Sequence, residues 1–175
     1  MVEVVYLPRR AAEEAKRRGL DIGDLILRVL AQELKLDPEE ISEARLELAS
    51  RFFEEANLYL EKGEAVQASE KLYKTVEECI KALAEVFNVP QVEEVKRRGK
   101  WDTWLLGMAS TDLSKTLKED RIRLAWKDAC DIHVWGFREA KYRVEDVEAA
   151  LPLTEWLLNF TKQVVAGNSG RRHDF

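Results

Sequence analysis

The feature that most constrains this chain is the segment from Asp37 to about Phe87, in which two long amphipathic helices meet with almost no joint. Asp37-Pro38-Glu39-Glu40 is a strong helix start: a capping carboxylate, a proline at the first helical position and acids in the positive first turn. The stripe Leu46, Ala49, Phe53, Ala56 and Leu60 recurs at three- and four-residue steps up to Lys62, and Gly63 supplies the left-handed stop. A second stripe, Val66, Leu72, Val76, Ile80, Leu83 and Phe87, begins at once. Two helices joined so tightly must fold back as an antiparallel pair.

Three further helical stretches follow. Trp101 opens one that carries Trp104, Leu105, Met108 and Leu113 to about Leu117; another spans about Asp120 to Lys141. The last runs from about Val144 and carries Val147, Leu151, Trp156, Leu157, Phe160 and Val164, with a kink or restart expected at Pro152. Upstream, residues 2–7 alternate weakly and are rich in valine, which predicts a short strand. Pro8 and Gly19 then bracket one helix, and Asp21 caps another over Ile22–Leu34. The expectation is all-α: an up-and-down bundle of four or five helices over 37–166, a strand-helix-helix arm over 1–36, and a short disordered tail over 167–175.

Composition removes several classes of function. With 46% apolar and 35% charged residues, the chain suits a folded, soluble protein, and no apolar run reaches the roughly 18–20 residues of a membrane span. The N-terminus lacks the pattern of a secretory signal. Cys79 and Cys130 stand apart, without metal-ligand spacing, and read as small buried side chains in a reducing compartment, so the expected location is the cytoplasm. Dense charge of both signs suits a heat-adapted protein. The net charge of -5 argues against general nucleic-acid affinity, and Arg9-Arg10, Lys16-Arg17-Arg18 and Lys96-Arg97-Arg98 read as solvated helix faces. Glu39-Glu40, Glu54-Glu55 and Glu77-Glu78 read the same way. No cofactor or metal motif is present: there is no phosphate-cradling glycine loop, zinc spacing or nucleophile elbow.

The densest cluster of candidate functional residues is Trp126 to Ala140, with two of the five tryptophans and the only histidine outside the C-terminal tail. On one regular helix, Ile122, Trp126, Ala129, His133, Phe137 and Ala140 form a single apolar stripe. A histidine there is a structural hydrogen bonder or the start of a site. Arg138 lies about 140° around an ideal helix from His133, so the two meet only through distortion near Gly136 or across a two-fold axis. Trp135 stands on the opposite, polar side. Trp126, Trp135, Phe137 and Trp101 are therefore the candidate interface aromatics.

In outline, the N-terminal arm resembles the ribbon-helix-helix DNA-binding pattern. Val2, Val4 and Tyr6 on one face and Glu3, Val5 and Leu7 on the other read bases poorly, so specific DNA binding is disfavoured and strand pairing or packing preferred.

Taken together, Leu7-Pro8, Asp37-Pro38-Glu39-Glu40, Gly99-Lys100-Trp101 and above all His133-Val-Trp-Gly136-Phe137-Arg138-Glu139-Ala140 are similar to the archaeal PaREP family, placed near the HEPN superfamily. That resemblance implies a four-helix bundle, frequent homodimers, and either a metal-independent ribonuclease or a non-catalytic binding or antitoxin-like module. The ribonucleases carry arginine before histidine; here His133 precedes Arg138. The leading expectation is a homodimeric binding module with a protein or RNA partner and no membrane role. The alternatives are a ribonuclease using His133 and Arg138, and a DNA-binding regulator acting through the arm.

Overall fold

A computed structural model describes residues 4–172, with side chains through Asn168. The helices are α1 (Arg9–Arg17), α2 (Ile22–Leu34), α3 (Pro38–Glu61), α4 (Ala65–Phe87), α5 (Pro90–Arg98), α6 (Thr103–Leu117) and α7 (Arg121–Asp131). After α7 come a π-helical segment (Ile132–Arg138), α8 (Val144–Glu148) and α9 (Leu151–Arg172). All described regular structure is helical.

α3 and α4 form the expected antiparallel pair. Asp37 accepts hydrogen bonds from the Glu39 and Glu40 amides, each at 2.9 Å, and Glu40 reaches back to the Asp37 amide at 2.9 Å, closing a capping box. At the far end Gly63 adopts φ 75°, and the Glu64 amide bonds the Tyr59 carbonyl at 2.8 Å.

The α4 helix is the axle of the molecule. It packs against α3, α6, α7, the π segment and α9, and residues 75–84 are buried without interruption. A helix enclosed on every side has no solvated face. One core cluster joins Leu46, Val76, Ile80, Leu83, Leu106, Leu113, Ile122, Trp126 and Leu157. A smaller one joins Ala56, Leu60, Leu72, Ile132, Val147 and Ala150 beneath the π segment.

Four expectations need correction. No strand occurs among the described residues. Residues 4–8 are exposed and form no ladder with another segment, and a strand needs a neighbouring backbone to bond with; residues 2 and 3 lie outside the described residues. The bundle also holds more than four or five helices, because α5 and α8 add short turns at its ends. The helix expected over 120–141 changes type at Ile132. Finally, α9 continues through Arg172, into the tail expected over 167–175, of which residues 173–175 lie outside the described residues. At Pro152 the chain restarts: α8 closes at Glu148, and α9 opens at Leu151 with the proline in its first turn.

The arm is loosely built. α1 buries no residue, and α2 buries only Asp24 and Ala31. Val29, Leu30 and Leu34 remain exposed.

Candidate functional site

The site candidates gather where the π segment crosses α4. The reason for the close crossing is Gly136: a Cβ there would lie 2.7 Å from Ser69 Cβ and closer still to Ser69 Oγ. The Ser69 hydroxyl is itself held, donating to the Ala65 carbonyl at 2.8 Å. Only a residue without a side chain lets the two backbones approach so nearly. Around Gly136 the ladder widens, and the Glu139 amide bonds the Val134 carbonyl, five residues back, at 2.9 Å. The chain then leaves the helix through Ala140 at φ 50°.

This widened turn alters the relation between His133 and Arg138. In an i→i+5 ladder, residues five apart sit on successive turns rather than on different faces. Distortion near Gly136, the condition for the pair to approach each other, is present. Arg138 is exposed, and its charge helps hold the His133 imidazole below the ordinary histidine range. Burial is the larger cause; Glu77 and Glu70 pull the other way. His133 is half-buried. Its ring lies 4.2 Å from Tyr73 and 5.4 Å from Phe137, and its Nδ1 is buried without a hydrogen-bond partner. A neutral imidazole follows at neutral pH, held by ring contacts.

The interface candidates divide. Trp126 is a core residue, 5% exposed, with its ring 5.7 Å from Tyr73. Trp101 is half-buried and packs on the main core, and Phe137 is half-buried beside His133. Trp135 alone of the four is well exposed, at 46%, and Leu124, Val134, Trp104 and Met108 are exposed with it. Leu124, Asp128 and Asp131 share one face of α7, and Trp135 follows one turn later. Asp131 accepts a 2.5 Å hydrogen bond from the Tyr142 hydroxyl, which stiffens the exit from the π segment.

Glu77-Glu78 does not form a solvated face; both residues are buried. Lys81, 1% exposed, meets Glu77 at 2.7 Å and Glu78 at 2.9 Å, while Arg45, also 1% exposed, meets Glu78 at 2.9 Å and Asp24 at 3.0 Å. Arg28 and Lys81 complete the shell around Asp24 at 3.3 and 3.4 Å. Burial alone would raise the Asp24 and Glu78 carboxyls, but the Lys81 and Arg45 cations outweigh it and hold both below the usual range. The i, i+3 and i, i+4 spacing of Lys81 from Glu78 and Glu77 was a visible signal. The partners on α2 and α3 were not.

Neither cysteine has a disulfide partner. Burial pushes the Cys79 thiol up to about 12 and that of Cys130 up to about 11, so neither is poised as a nucleophile. Among the described residues no cluster of three or more His, Cys, Asp or Glu is placed to hold a metal ion. No described helix is long and apolar enough to cross a membrane.

The model of the archaeal PaREP1/PaREP8 family matches residues 44–158, from the first turns of α3 into α9 and through the whole π segment. The chain belongs to that family. Residues 1–43, including α1 and α2, lie outside the match. A crystal structure of a protein from Sulfolobus solfataricus is similar at 35% identity, over 66% of this chain and 94% of that one, with a TM-score of 0.61. No curated protein matches.

Proposed function

We propose that this PaREP protein is a non-enzymatic, homodimeric helical binding module of HEPN-like type, with the α7–π face as its contact surface. The observation that carries the reading is Trp135, an indole 46% exposed on the segment that Ile132 and Gly136 anchor in the core. Leu124, Val134 and Trp135 are large apolar side chains left exposed on this stretch; they cost solvation in the monomer, and a partner that covers them regains it. The face also carries Asp128 and Asp131, which suit a polar rim around an aromatic anchor. Light scattering tests this directly. Trp135→Ser is expected to halve the particle mass while the far-ultraviolet dichroism stays unchanged; a mass that does not respond rejects this face.

A second reading, a metal-independent ribonuclease, is supported by the widened turn around Gly136 and by the effect of the Arg138 charge on His133. In that reading the imidazole serves as general acid or base and the guanidinium steadies the phosphate. RNA cleavage in excess chelator that disappears in folded His133→Gln protein would establish it. Intact RNA with the wild type at high enzyme concentration removes it.

A further inference from the structure

The junction of α7 with the π segment carries a charge pattern that reverses about its midpoint. Asp128 and Asp131 stand six and three positions before Val134, and Arg138 and Lys141 stand three and six positions after Trp135. Ile132 and Gly136 are buried, while Asp131, Val134, Trp135, Arg138 and Lys141 are all exposed and Asp128 is half-buried. The exit keeps Lys141 close to the segment, since its amide donates to the Trp135 carbonyl at 2.7 Å.

None of these four charged side chains has an ion-pair partner among the described residues. Nearby, Arg121, Arg123 and Arg143 each meet a carboxylate two or three residues away. Asp131 has a neutral donor, the Tyr142 hydroxyl. The Asp128 carboxyl stands above its ordinary range, through burial first and the Asp131 charge second.

Acids at one end and bases at the other make this face complementary to its own copy in one direction. A two-fold axis through the Val134–Trp135 step sets Asp131 of each copy against Arg138 of the other, and Asp128 against Lys141. The exposed apolar side chains then meet at the centre. Lys127 and Glu139, the other charges on the stretch, fall opposite Tyr142 and Cys130, so like charges stay apart. A parallel pairing would instead set acid on acid and base on base.

We propose, resting on the α7–π face as the contact surface, that two copies of this chain pair there antiparallel, with reciprocal Asp131–Arg138 contacts flanking Val134 and Trp135. The apolar centre supplies the affinity, and the exposed charge pairs fix direction and register.

Mixing two opposed variants tests this. Asp131→Arg confronts Arg138 of the other copy with a second cation, and Arg138→Asp confronts Asp131 with a second carboxylate. Each alone is expected to bind its own copy on the order of tenfold more weakly than wild type does, with the far-ultraviolet dichroism unchanged. Mixed in equal amounts, the two regain both ion pairs. Native mass spectrometry should then find a dimer of one chain of each kind, at close to wild-type affinity. Asp128→Lys with Lys141→Asp repeats the exchange without touching the Tyr142 hydrogen bond, and serves if either first variant fails to fold. Single variants that associate like wild type, or a mixture that does not recover, overturn the antiparallel register. Trp135→Ser separates that failure from failure of the face, since it weakens a dimer built there in any register. A wild type that stays monomeric overturns both.

Discussion

His133 is the residue whose chemistry the fold alters most. A lone histidine in an apolar stripe with Phe137 was legible from the sequence, but Tyr73 beside it was not, because it comes from α4, nor was the relation to Arg138, which depends on a change of helical pitch that regular periodicity cannot encode. The folded imidazole titrates below the ordinary histidine range, so the unfolded chain takes up a proton first as the pH falls. Stability is therefore full above about 6.5 and declines as the solution is acidified below it. Nuclear magnetic resonance of the ring should give a midpoint below that of the same residue in urea, and His133→Phe should flatten this part of the stability profile. Gly136 is the second decisive residue. Gly136→Ala should cost about 1–3 kcal/mol by overpacking against Ser69, with part of the loss recovered by Ser69→Gly in the double variant. Urea denaturation of the four proteins checks this.

At the scale of elements, the helices with strong caps and long stripes were the readable ones. Asp37 to Gly63 announces α3 through short-range signals alone. The buried ion cluster was not readable, because Asp24, Arg45 and Glu78 come from three helices far apart in sequence. That cluster is what ties α2 to the bundle, as Asp24 and Ala31 are the only residues α2 buries. Asp24→Asn leaves Arg45 undercompensated, and loss of one partner from a buried pair costs roughly 3–5 kcal/mol when nothing relaxes. Here the arm can lift away, so the expected result is faster hydrogen exchange over residues 22–34, with protection in α4 and α9 retained. Equal acceleration throughout would show that the cluster holds the whole fold. Acid should release the same contact. Asp21, which meets Lys74 at 2.5 Å, has its carboxyl lowered from 3.8 to about 2 against the cost of burial. Its contribution is present above about pH 4 and is lost as the pH falls through about 2.

At the scale of the molecule, the all-helical class and the antiparallel centre follow from periodicity and caps, whereas the split between core and surface aromatics does not. Trp126 and Trp135 are nine residues apart on adjoining segments, yet α4 and α6 bury the first and leave the second in water. The difference lies in tertiary packing, and it is the ground for the proposed contact face. Sedimentation equilibrium over a wide dilution range tests the dimeric module most directly. A dimer gives an apparent mass near twice the 20.2 kDa of one chain, falling toward the single-chain value on dilution. A mass of 20.2 kDa at every concentration would contradict it.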